Sequence, residues 1–222
     1  MAPRVIPHRN ILHFVANYLG HPLFMPLYAY CFYWFNTDDQ GPQLWINLIV
    51  IIILLCAAPI MIYPLLFKAG KIKSIHLKHF HERLWPLMIN LFLWSSVVGY
   101  FNLNLPICCK IGQIPTSLNA FYIGGTLCTL GALLLTKMSH KSSLHMMGIA
   151  GLFAHLFMVQ TYFYKGDFPL TSDLILAFGL LSATWVAWVR YKAKAHNLIE
   201  LLSGFCLGVT TQLIAVYGLT LI

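Results

Sequence analysis

Charge is what this 222-residue chain has least of. Only 9% of its residues are Asp, Glu, Lys or Arg, where a soluble domain carries about a quarter. Acidic residues number six. A surface facing water on all sides cannot be assembled from so few ionic groups, which excludes a water-soluble globule. Cysteine is sparse too, with six copies and no C-x-x-C pair. Cys108 and Cys109 are adjacent, while Cys31, Cys56, Cys128 and Cys206 lie in apolar runs, where a thiol behaves as a small hydrophobe. Neither a zinc site nor a disulfide framework is indicated. Internal repeats and low-complexity tracts are missing as well. The first apolar stretch lacks the short core and trailing small residues of a cleaved signal peptide.

What the chain does have is apolar surface: 59% of its residues are hydrophobic and the mean hydropathy is +0.74. A helix needs roughly 20 such residues to cross a bilayer. Seven stretches qualify, at 10–36, 44–67, 84–105, 117–137, 143–164, 171–190 and 197–222. The links between them are short, so no soluble domain fits. The expected fold is all-α: a polytopic membrane helical bundle of six to seven transmembrane helices, forming a single integral membrane domain over 1–222. In the first stretch, His21-Pro22 and Pro26 remove backbone donors four residues apart, which predicts a kink or break. One arrangement is an interfacial helix at 10–20 followed by a short tilted span. An acidic, turn-rich link follows from Asn36 to Pro42.

Because each span crosses once, alternate loops share a face. Loops 68–83, 138–142 and 190–196 therefore belong together. If the first stretch spans, that side holds every Lys and Arg except Lys110 and Lys165. The opposite side carries Asp38, Asp39, Asp167 and Asp173. By the positive-inside rule the basic face is cytoplasmic. The excess of 14 Lys+Arg also suits lipid head groups or phosphates, although topogenic charge alone explains Lys68, Lys71 and Lys73.

Three clusters on this face point to chemistry. The most informative is Arg190, five residues, His196, three residues, Glu200. His196 and Glu200 are spaced to share one face of a helix. A carboxylate that takes the proton of one ring nitrogen orients the imidazole and leaves the other nitrogen as a nucleophile. Arg190 can hold two phosphate oxygens with its planar fork. Gly204 and Gly208 follow with G-x-x-x-G spacing, which lets a neighbouring helix approach closely. The second cluster, Lys141-Ser142-Ser143-Leu144-His145, opens the fifth stretch. Hydroxyls and free amides at a helix start suit a phosphate, and His145 is placed to protonate a leaving oxygen. The first cluster is His76, Lys78, Arg83 and Pro86.

These residues resemble the motifs of the type 2 phosphatidic acid phosphatase superfamily, over a core of about 43–222. The family's third motif is Ser-Arg, five residues, His, three residues, Asp; here it reads Val189-Arg190, His196, Glu200. Its Pro-Ser-Gly-His is matched by Ser142-Ser143-Leu144-His145, which keeps the second-position serine and the histidine. Its first motif, Lys, six residues, Arg-Pro, aligns with His76, Arg83 and Leu84, two spans away from the second. The resemblance implies a membrane phosphatase or phosphotransferase acting on a lipid or polyprenyl phosphate through a phosphohistidine. His196 would be the nucleophile, Glu200 its orienting group and His145 the general acid. Arg190, Arg83, Lys78, Lys141 and Ser143 would hold the phosphate oxygens, with no metal and no cofactor. The expected partners are this substrate and membrane lipids, not nucleic acid, in a multi-pass protein of a bacterial inner membrane. The resemblance suggests a site on the outer face, whereas the charge asymmetry favours the cytoplasmic one.

Plainer readings exist for each group: a snorkelling Arg190, a structural His196–Glu200 pair, and histidines hydrogen-bonded inside the bundle. Two other functions compete. One is a haem- or quinone-associated redox subunit, with His13, His21 and His155 as the axial candidates among ten histidines. The other is a catalytically inactive scaffold in a membrane complex.

Overall fold

The structure, a computed structural model, describes residues 18–36, 41–73, 80–102, 115–162 and 171–220, and every regular element among them is helical. Seven helices follow one another: α1 Met25–Phe35, α2 Pro42–Lys68, α3 Leu84–Asn102, α4 Thr116–Lys137, α5 Leu144–Tyr162, α6 Ser172–Lys192 and α7 Leu198–Thr220. All except α1 are long and apolar enough to cross a membrane. Their outward faces are apolar, with Phe92 and Leu181 each 70% exposed, as a lipid-facing surface requires. The protein is an integral, multi-pass membrane protein.

The first apolar stretch does not form one continuous span. A 3-10 turn, Pro22–Phe24, precedes α1, whose 11 residues reach only about 16 Å at 1.5 Å per residue. The break falls where the prolines predict it. Each proline sits in the first turn of its element, where its missing N–H costs no hydrogen bond. The helix proposed at 10–20 lies largely outside the described residues. α1 packs against α2, α4 and α5. The Tyr30 hydroxyl donates to the Leu44 carbonyl at 2.8 Å, and Trp34 meets Trp45 edge-to-face with ring centroids 4.4 Å apart.

Helix α2 contains a π-helical turn at Ile52–Ala57, which ends two residues before Pro59. A proline ring crowds the carbonyl four residues earlier, and a wider turn there relieves the clash. The Cys56 thiol donates to the Leu23 carbonyl at 3.3 Å from this turn, tying α2 to the turn before α1.

Three helices end on the basic side in the same way. Gly70, Ser139 and Lys194 follow α2, α4 and α6 with φ of 68°, 61° and 52°. The amides of Lys71, His140 and Ala195 each reach back to the carbonyls of Leu66, Leu135 and Arg190 at 2.9, 2.9 and 3.1 Å. These are left-handed helix stops that satisfy the last carbonyls and turn the chain at once.

The most extensive helix pair is α5 with α7. A Cβ at Gly204 would lie 2.5 Å from the Ser143 carbonyl oxygen, and one at Gly208 2.5 Å from that of Met147. The expected close approach through G-x-x-x-G is what the structure shows, and it sets the start of α5 against the first turns of α7.

Candidate active site

The described residues singled out by sequence come from three links on the basic side and the helix ends beside them, and hydrogen bonds between these segments gather them. Arg83, just before α3, donates from a guanidinium nitrogen to the Ser142 carbonyl at 2.7 Å. Lys141, in the α4–α5 link, donates to the Ala195 carbonyl in the α6–α7 link at 3.2 Å. The Ser143 amide donates to the Glu200 carbonyl at 2.9 Å. His140 Nε2 lies 3.1 Å from the Ser203 hydroxyl, which donates to the Glu200 carbonyl at the same distance. The described parts of loops 68–83, 138–142 and 190–196 that carry these bonds therefore share one end of the bundle, as alternate crossing requires.

At their centre is His196, 6% exposed. It precedes α7 rather than lying on it. Asn197 caps the helix, its side-chain oxygen accepting the Glu200 amide at 2.9 Å. Glu200, in the first turn, reaches back to the imidazole, with Nδ1 and Oε2 2.7 Å apart. The pair forms across a helix start, where a carboxylate is also favoured by the dipole, instead of along a helical face. An ionised carboxylate only accepts, so the ring donates from Nδ1 and keeps a lone pair on Nε2. Burial pulls the His196 pKa down to about 4; the bond to Glu200 opposes the shift, and Lys141, Arg83 and Arg190 add to it. The ring is neutral at pH 7.

Arg83, Lys141 and Arg190 lie within electrostatic reach of one another, and Glu200 is in reach of Arg83 and Lys141. Burial, and next Arg83, push the Lys141 ammonium below its ordinary pKa, with Glu200 opposing. Three cations thus lie near one another, two of them with the Glu200 carboxylate in reach. Their mutual repulsion, felt by Lys141 from both Arg83 and Arg190, is of the kind that a bound anion relieves. Arg83 and Lys141 spend the hydrogen bonds above on neutral carbonyls, which leaves their charge uncompensated by those contacts.

His145 lies in the first turn of α5, half-buried, with the ring of His21 against it, centroids 5.1 Å apart at 80°. Ser143, expected to grip a phosphate oxygen, is fully enclosed instead. Its amide is committed to Glu200, and its hydroxyl faces the Met146 amide at 3.5 Å. It caps α5 because the Gly204 contact leaves it no open side. Lys78 and His76 lie outside the described residues, as does His13. His155, in mid-span, is buried with its ring against Phe121 at 5.2 Å, and so stands apart from the basic end.

Sequence reasoning had no signal for His21 as a neighbour of this site, nor for the Ser142 and Ala195 carbonyls as cation partners. Both depend on contacts between links far apart in the chain. Compared with known proteins, this chain matches no protein family, no curated protein and no solved structure.

Proposed function

We propose that this protein is a membrane phosphatase or phosphotransferase acting on a lipid or polyprenyl phosphate. One observation carries the reading: three cations from three separate parts of the chain lie within electrostatic reach of a neutral, carboxylate-oriented imidazole at the basic end of the spans. A dianionic phosphate monoester would relieve the repulsion among these cations. A substrate anchored by its tail in the bilayer presents its phosphate at the level where span ends place these groups.

In the proposed reaction, Arg83, Arg190 and Lys141 hold the non-bridging phosphate oxygens. The Nε2 lone pair of His196 forms a bond to phosphorus as the bond from phosphorus to the bridging oxygen breaks. His145, protonated, gives its proton to that departing oxygen. Glu200 accepts the Nδ1–H bond throughout and stabilises the positive charge that the ring acquires. Water, or the hydroxyl of an acceptor, then attacks phosphorus and yields its proton to His145. The P–N bond breaks, and both histidines return to their starting forms. The three cations meet the charge growing on the equatorial oxygens, the usual source of the largest rate gains. Ser143 supports the site from behind by capping α5.

The charge asymmetry supports a cytoplasmic basic face, and a bacterial inner membrane is the setting the resemblance suggests. The test is phosphate release from a panel of lipid phosphates, with wild type and His196→Ala compared. Release that requires His196, with acid-labile phosphate trapped on that residue, is the expected result. Full turnover by His196→Ala, or no release from any lipid phosphate, would overturn the reading and favour a scaffold.

A further inference from the structure

The turn that leads into α1 is fastened onto the same end of α5 that carries His145. Pro22 rests on Gly148, where a Cβ would lie 3.1 Å from its Cα and Cβ. The Leu23 carbonyl accepts from Cys56 at 3.3 Å, and the Pro26 carbonyl accepts from the Tyr122 hydroxyl at 3.3 Å. One residue ahead of Pro22, the His21 ring meets His145 edge-to-face, and His145 is one helical turn before Gly148. His21 also lies within electrostatic reach of Arg190. Its own orientation is fixed: Nδ1 accepts the Leu23 amide at 3.2 Å, so the neutral ring carries its proton on Nε2.

We propose that His21 is a positioning residue of the active site, its ring bracing the imidazole of His145 so that the acid faces the departing oxygen. This rests on the phosphatase reading. Burial lowers the His21 pKa and Arg190 lowers it further, which keeps His21 an uncharged wall beside a cluster already rich in cations. A side chain that must deliver a proton along one direction gains from a rigid neighbour, because general acid catalysis needs the donor within hydrogen-bond reach of its target. The turn before α1 is thereby part of the catalytic apparatus and not only packing.

Two substitutions separate bracing from capping. His21→Asn keeps a side-chain oxygen for the Leu23 amide but removes the ring. His21→Phe keeps the ring and removes the capping nitrogen. Each is compared with wild type, as full-length protein, on dodecyl phosphate, whose alkoxide leaves only with a proton, and on 4-nitrophenyl phosphate, whose leaving group needs none. His21→Asn should slow dodecyl phosphate turnover by roughly ten- to hundredfold while changing 4-nitrophenyl phosphate turnover by less than about twofold. His21→Phe should restore most of the dodecyl phosphate rate. Equal loss on both probes, or no loss on either, would overturn the bracing role while leaving the phosphatase reading intact. A wild-type protein inactive on both probes and unable to trap phosphate on His196 would remove both.

Discussion

The chemistry proposed here turns on the protonation state of one imidazole. His196 has a pKa lowered to about 4 by burial, with the bond to Glu200 opposing, against an ordinary 6.5. Well above pH 6.5 the ring is neutral in both folded and unfolded chains. As pH falls from 6.5 towards 4, the unfolded chain takes up a proton that the folded one resists, so stability falls through that window. A histidine NMR titration should accordingly find His196 unprotonated down to about pH 4, and a midpoint at or above 6.5 would contradict its burial beside the cations. Glu200→Gln removes the group that opposes the shift, so the midpoint should move lower still. Turnover should also fall, though less than in His196→Ala, because the imidazole survives without its orienting charge.

At the scale of elements, two backbone devices hold the site. Lys194 turns the chain after α6 with φ of 52°, in a region that costs a side-chain-bearing residue roughly 1 kcal/mol and glycine almost nothing. Lys194→Gly should therefore raise thermal stability by about 0.5–1 kcal/mol, measured as an increase in Tm in detergent. A decrease would show that the lysine makes contacts worth more than the strain. Gly204→Ala acts oppositely. Its Cβ would meet the Ser143 carbonyl oxygen at 2.5 Å, and α7 must back away from α5. Overpacking of this sort costs about 1–3 kcal/mol. Because the Ser143–Glu200 backbone bond crosses the same contact, activity should fall with stability, whereas Lys194→Gly should leave activity in place. Activity and Tm measured on both variants check the contrast.

For the whole molecule, six long spans and a shared basic end fix relative sidedness. Cysteines placed at positions 73 and 140, in a background without native cysteine, should react with an impermeant thiol reagent from one and the same side. Labelling from opposite sides would break the bundle described here. If that side is cytoplasmic, as proposed from the charge asymmetry, a reporter fused after Ile222 should read the outer side, since α7 carries the chain across. A cytoplasmic reading of the reporter would reverse the orientation. In the proposed mechanism a side chain is the nucleophile and arginine and lysine supply the positive charge. Chelators should therefore leave turnover unchanged, and vanadate, which mimics pentacoordinate phosphorus, should inhibit. Loss of activity with a chelator would replace the phosphohistidine route.

By itself the sequence determined the all-helical bundle, because apolar runs of span length have one economical solution in a bilayer: every backbone donor must be satisfied within its own segment. The same local logic placed the break at His21-Pro22, the sharing of one face by loops 68–83, 138–142 and 190–196, and the pairing of His196 with Glu200, all of which follow from short-range geometry or strict alternation. The tertiary structure alone decided which groups from separate links meet. It put Arg83 on the Ser142 carbonyl, joined Lys141 to Ala195, enclosed Ser143 against Gly204 and laid His21 on His145. It also showed His196 ahead of the α7 cap instead of on the helix face. Such contacts depend on how helices approach and where a left-handed stop turns the chain. Spacing along one segment carries no record of them, since the partners lie on different spans and only packing sets their distance.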